Sequence, residues 1–179
     1  MLSCTDTLLL IVDIQEKLVR AMHAREDLLA RAQQLVRGAR ALQVPILCTE
    51  QNPKGLGATV DEIASHMPTV QPISKFSFGC CASADFLHAL QESGRRNVLL
   101  AGIETHVCVY QTALELLERG WHVEVVADAC SSRTPGNKQI GLDKMRAAGA
   151  AITSVETALF ELLKVAEGPL FKELLKIVK

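Results

Sequence analysis

The chain has 179 residues, 49% hydrophobic and 22% charged, with a formal net charge of -1. That is the size of one domain with ample core material, and the near-zero charge gives no electrostatic footprint for nucleic acid or an anionic membrane. No apolar run approaches the ~20 residues that span a bilayer, and Met1 to Thr7 lacks the basic stretch of a secretion signal, so a single cytoplasmic domain over residues 1–179 is expected.

Thr7 to Val12 is a continuous apolar run ending at Asp13, the pattern of a strand covered on both faces of a parallel sheet. An aspartate there lies where open α/β sheets place their ligand crevice, although it could also cap a short helix over Ile14 to Ala21. Arg25 to Leu42 carries Leu28, Leu29, Ala32, Leu35, Val36, Ala39 and Leu42 at helical spacing. Val44 to Glu50 reads as the second strand, and Gln51 to Gly57 as a loop at the same sheet edge as Asp13. Its Gly55-x-Gly57 belongs to neither a GxGxxG nor a GxxxxGK[ST] phosphate cradle.

Thr59 to Ala64 suggests a short helix, and Gln71 to Gly79 an extended piece that becomes a loop. Lys75 sits there between Ile73 and the aromatic Phe76 and Phe78; read alone it fits a solvated loop lysine better than a desolvated charge. Ser83 caps a helix to Glu92, stopped at Gly94. Asn97 to Ala101 is a strand leading into Gly102, and Val107 to Arg119 is a helix stopped by Gly120. Cys108 therefore falls in the first turn of a helix that directly follows a strand. Such a position favours a thiolate, with a pKa lowered from about 8.5 to roughly 3.5–7.5.

His122 to Asp128 is the next strand, with Asp128 to Ser132 beyond its carboxyl end. Asn137 to Ala148, Glu156 to Val165 and Pro169 to Lys179 read as helices, with a last strand over Ala150 to Val155. Strands alternating with helices at this spacing give a three-layer α/β/α, Rossmann-like fold with a mostly parallel sheet of about five or six strands. The six cysteines show neither a CxxC pair nor zinc-site spacing, so reduced thiols are expected, with Cys80-Cys81 as small side chains in a loop.

Three groups of the kind that run nucleophilic catalysis thus come to one sheet edge: Asp13, Lys75 and Cys108. With Asp13-Ile14-Gln15, Ser74 to Phe78, Gly102 to Val109 and Val126 to Ala129, the sequence resembles the isochorismatase-like cysteine hydrolases. Within them, Thr49 to Gly57 looks most like the branch of isochorismatase-domain proteins without an assigned substrate. The resemblance implies Cys108 as nucleophile, Asp13 as proton carrier and Lys75 as the charge that holds both. It implies an oxyanion hole from the backbone N–H groups of Glu104 and Cys108, and a cis peptide at Ile103-Glu104. Gln15, Gln51, Phe78 and Thr105 are candidates to line the substrate pocket, as is Tyr110.

The departures narrow the chemistry. Relatives that hydrolyse nicotinamide carry an Asp-x-His-x-x-His metal site where this chain has Glu50-Gln51-Asn52, so neither a catalytic metal nor a cofactor is expected. A cysteine favours C–N or acyl chemistry on a small molecule over vinyl-ether hydrolysis. His106 is a rival base, but residues two apart on a helix do not face each other. Two other readings are a thiol-redox protein with Cys130 as resolving cysteine, and a non-catalytic interaction protein. The resemblance further implies a homo-oligomer, dimer or higher, for which the apolar Leu170 to Val178 stretch could supply a contact.

Overall fold

Leu8 to Val12 carry nothing polar, and in the computed structural model, which describes residues 1–179, all five are fully buried. They form the middle of a six-stranded sheet in which every neighbouring pair is parallel. The strands are β1 (Thr7–Val12), β2 (Ile46–Gln51), β3 (Ile73–Lys75), β4 (Asn97–Ile103), β5 (His122–Ser131) and β6 (Ala151–Thr153), in the order β3-β2-β1-β4-β5-β6. The helices are α1 (Glu16–Val19), α2 (Arg25–Ala41), α3 (Pro53–Leu56), α4 (Asp61–Ala64), α5 (Ala84–Glu92), α6 (Tyr110–Glu118), α7 (Pro135–Ala147), α8 (Val155–Leu163) and α9 (Gly168–Val178).

The period of two along β1 sorts its side chains onto two cores. Leu9 and Ile11 pack with the apolar faces of α2, α8 and α9, while Leu8, Leu10 and Val12 pack with those of α5, α6 and α7. This is the expected three-layer arrangement. The capping residues behave as their chemistry dictates: Ser83, Thr134 and Ser154 each accept a backbone N–H from the first turn of the helix that follows.

The chain builds β1, β2 and β3 outward on one side, then β4, β5 and β6 on the other. The carboxyl ends of β1 and β4 are therefore adjacent where the strand order reverses, which is where such sheets open a crevice. Gly102 makes that approach close: its φ is +135°, and a Cβ there would collide with the Val12 backbone.

Three details are refined by the structure. The strand β5 runs on to Ser131 rather than stopping near Asp128, because its register against β4 jumps from Leu100↔Val125 to Gly102↔Cys130. Asp128 lies in the resulting bulge and accepts the Val155 N–H. Helix α9 packs on its own chain, with Leu174 and Ile177 buried beside α2, while Leu170, Phe171, Leu175 and Val178 stay half-buried. Cys80 and Cys81 form a buried 3-10 turn over Cys80–Ala82, and all six cysteines are free thiols. No helix is long and apolar enough to cross a membrane.

Candidate active site

Asp13 leaves β1 with a φ of 54°, in the left-handed region that Asp tolerates better than most residues. Its N–H donates to the Thr49 carbonyl at 3.1 Å, which ties it to β2. Its carboxylate is fully buried and held by both oxygens: Oδ1 accepts the Thr49 hydroxyl at 2.8 Å and Oδ2 accepts Lys75 at 2.6 Å.

Lys75 ends β3 and is 3% exposed, not the solvated loop residue that its neighbours alone suggest. Besides Asp13, its Nζ meets Gln51 Oε1 at 3.0 Å, the Ser77 carbonyl at 3.2 Å and the Phe78 carbonyl at 3.1 Å. Every partner is an acceptor, which suits an ammonium with three donors and no lone pair. The burial of the two charges is thus matched by an ion pair and a full set of hydrogen bonds.

Cys108 lies in a π-helical turn, Thr105–Val109, ahead of α6, and is 6% exposed. The wide turn forms because the Glu104 carbonyl accepts both the Val107 and the Val109 N–H, at 3.0 and 3.2 Å. The Glu104 N–H itself donates to no acceptor in the protein. The Ile103-Glu104 peptide is cis, as the resemblance implies. The expected low thiol pKa is not found. Burial pushes the Cys108 thiol up to about 12, the Asp13 carboxylate adds to the rise by charge and hydrogen bond, and Lys75 opposes it. The resting cysteine is a thiol beside a carboxylate, because desolvation outweighs the helix dipole and the lysine.

The other candidates divide. Gln15 is buried and wholly engaged, donating to the Gln51 carbonyl at 3.0 Å and the Gly57 carbonyl at 2.7 Å while accepting the Gln51 N–H at 2.7 Å. It clamps the loop after β2 and has no group left to offer a substrate. Thr105 is likewise spent, donating to the Ser131 carbonyl at 2.8 Å from a buried position. Gln51 is turned to the lysine: Oε1 accepts from Lys75 and Nε2 donates to the Phe76 carbonyl at 2.7 Å. Phe78 is 55% exposed, while its carbonyl accepts from Lys75. Tyr110 lies under the Lys144 ammonium, 4.5 Å from its ring centre.

Glu104 holds the Arg133 guanidinium at 3.0 Å. His106 turns away, its Nδ1 3.0 Å from the Ser132 hydroxyl. Cys130 points its thiol at the Leu100 carbonyl, 3.9 Å away, and Cys80 is among the groups that raise the Cys108 pKa. Sequence reasoning assigned no site role to Thr49, Thr112 or Cys80, which it read only as a small side chain in a loop. The one signal in the sequence is the spacing of four residues between Cys108 and Thr112; Thr49 is placed beside Asp13 by its register with Val12, which the fold sets.

Residues 7–157 match the isochorismatase domain. Over 178 residues the chain is 40% identical to isochorismatase domain-containing protein 2A of Mus musculus, covering 97% of this chain and 82% of that protein. A solved structure of the MAR1 ribonuclease from Caenorhabditis elegans superposes with a TM-score of 0.91 at 36% identity, over 99% of this chain and 91% of the other. YcaC from Pseudomonas aeruginosa, solved with hexane-2,5-diol and covalent acrylamide, gives 0.93 at 26% identity, over 98% and 90%. A matched span that begins in the strand before Asp13 and runs past the helix after Cys108 makes the conclusion plain: the chain belongs to the isochorismatase family.

Proposed function

We propose that this protein is a cysteine hydrolase that cleaves a C–N bond, amide or ureido, or a related acyl bond in a small molecule. The observation that carries the reading is the fully buried Lys75–Asp13 ion pair beside the Cys108 thiol, at the reversal point of the sheet. Isolated charges are rarely kept in such a place, and burial of this kind marks functional sites.

The thiol is protonated at rest, so attack begins with transfer of its proton to Asp13 as sulfur bonds to the substrate carbonyl carbon. The carbonyl oxygen takes up the electron pair and is met by the Glu104 and Cys108 N–H groups. As the intermediate collapses, the C–N bond breaks and the amine leaves with the proton that Asp13 carried. Water then attacks the thioester as Asp13 takes one of its protons; the C–S bond breaks, the acid leaves, and Asp13 returns that proton to the Cys108 sulfur. Lys75 stays charged throughout and keeps Asp13 in place.

The acrylamide bound covalently in the YcaC neighbour supports a reactive nucleophile in this fold. A polynucleotide substrate, which the ribonuclease relative brings to mind, fits less well: the nucleophile is 6% exposed and the chain has a net charge of -1. The exposed rings of Phe76 and Phe78 beside Lys75 support a homo-oligomer in which another subunit covers this lip.

The test is turnover of a panel of amides, ureido acids and activated esters, with intact mass of the protein under substrate. Hydrolysis with an acyl adduct on Cys108 is expected. Equal turnover by Cys108→Ser would overturn the reading.

A further inference from the structure

Behind Asp13 lies a chain of buried polar groups that the acid–base cycle does not by itself require. The Thr49 hydroxyl donates to Asp13 Oδ1 at 2.8 Å and stands 3.8 Å from the Cys80 sulfur. The Thr112 hydroxyl donates to that same sulfur at 3.2 Å and accepts the Cys80 N–H at 3.1 Å. Thr49, Cys80, Thr112 and Asp13 are all fully buried, and none of the four has a buried side-chain oxygen left unpaired.

Proton counting orients the chain. Thr112 gives its hydroxyl proton to Cys80, so the Cys80 thiol proton is free to go to the Thr49 oxygen, and the Thr49 proton goes to the carboxylate. Each link points toward Asp13 and polarises the next. The arrangement also joins three segments: Thr49 from β2, Cys80 from the 3-10 turn and Thr112 from α6, the helix that begins just after Cys108.

We infer that Thr49 is a positioning residue for the reaction, holding the Asp13 carboxylate by Oδ1 in the orientation that receives the Cys108 proton, with Cys80 and Thr112 fixing the Thr49 hydroxyl from behind. The inference rests on the proposed Cys108–Asp13–Lys75 chemistry. Lys75 alone grips one oxygen and leaves the carboxylate free to rotate about its own bond; the second anchor removes that freedom. Without the hydroxyl, Oδ1 is buried and unpaired, and the carboxylate either turns away or takes up a proton. Either way the base is lost to Cys108. The titratable groups that face Asp13 are Lys75 from β3, Cys48 from β2, Cys80 from the 3-10 turn and Cys108 from the π turn.

The experiment is the rate of alkylation of Cys108 by iodoacetamide, resolved by peptide mass spectrometry, as a function of pH. Thr49→Val keeps the shape and deletes the donor; it is expected to slow Cys108 roughly tenfold at neutral pH and to move the acidic limb of the profile upward. Thr49→Ser, which restores the hydroxyl, is expected to recover the wild-type profile, a rescue that a purely structural role for the methyl group would not give. Thr112→Val leaves Thr49 in place and is expected to slow Cys108 by roughly two- to threefold; it decides the matter if Thr49→Val does not fold. Wild-type rates in Thr49→Val, or in a folded Thr112→Val when the first variant is lost, overturn the inference. Asp13→Asn separates the two levels: if it too alkylates normally, the triad itself fails, whereas slow Asp13→Asn with normal Thr49→Val removes only the role of Thr49.

Discussion

Nζ of Lys75 lies 2.6 Å from Oδ2 of Asp13, with the two side chains 1% and 0% exposed, although the residues are 62 apart in sequence. A pair this deep is no surface ornament: removing one partner strands the other charge in a medium that cannot solvate it. Lys75→Met is therefore expected to lower unfolding stability by about 3–5 kcal/mol. Replacing both residues, Lys75→Met with Asp13→Asn, is expected to recover much of the loss. Urea unfolding of the two variants checks this, and a single mutant as stable as the wild type would contradict it.

His106 stands two residues from Cys108 yet bonds to the Ser132 hydroxyl. His106→Ala is expected to leave alkylation of Cys108 within about twofold of wild type and to cost about 1 kcal/mol of stability, the worth of one hydrogen bond. Asp13→Asn, by contrast, is expected to suppress that reaction. A His106→Ala protein whose Cys108 is as unreactive as in Asp13→Asn would make the histidine the base.

Gly141 of α7 packs on the turn that carries Cys108. A Cβ at Gly141 would lie 2.7 Å from the Thr105 carbonyl oxygen and 2.9 Å from the His106 backbone. Gly141→Ala must push α7 off that backbone, and the expected result is altered Cys108 reactivity with Asp13, Lys75 and Cys108 themselves unchanged. The effect is expected to reach ten- to about a hundredfold, because small misplacements near a reacting centre are costly. An unchanged alkylation rate in the folded variant would show that the turn tolerates the shift.

Buried thiols set the alkaline behaviour. Burial pushes Cys48 and Cys130 up to about 12 and Cys80 up to about 11, from an ordinary 9.0. On unfolding they return to ordinary values, so between 9.0 and those native values the native state holds protons that the unfolded chain releases. Their contribution is constant below 9.0 and is lost as pH rises above it, by about 1.4 kcal/mol per pH unit for each thiol that titrates only on unfolding. Urea midpoints measured from neutral to alkaline pH are expected to fall in this range. A level midpoint would mean the thiols are not protected.

Much of this protein was decided by local pattern. The unbroken apolar run of β1, the helical spacing of α2, the cap at Ser83 and the stops at Gly94 and Gly120 are short-range statements, and they suffice for an α/β sandwich. A strand end marks a crevice and a helix start after a strand favours a thiolate, so Asp13 and Cys108 were legible as well; the resemblance supplied the role of Lys75. What the tertiary structure alone decided is how each polar group is satisfied. Gln15 and Thr105 looked available to a substrate, but backbone carbonyls far along the chain take up their donors. The apolar α9 turns Leu174 and Ile177 onto α2 and leaves Leu170, Phe171, Leu175 and Val178 half-buried, a division set by where α2 lies. The Cys108 thiol sits at a helix start that favours its anion, yet desolvation and an adjacent carboxylate, both products of the closed fold, hold the proton on sulfur. Periodicity fixes which face of an element is buried; the partners, and with them the charge states, depend on contacts between residues tens of positions apart.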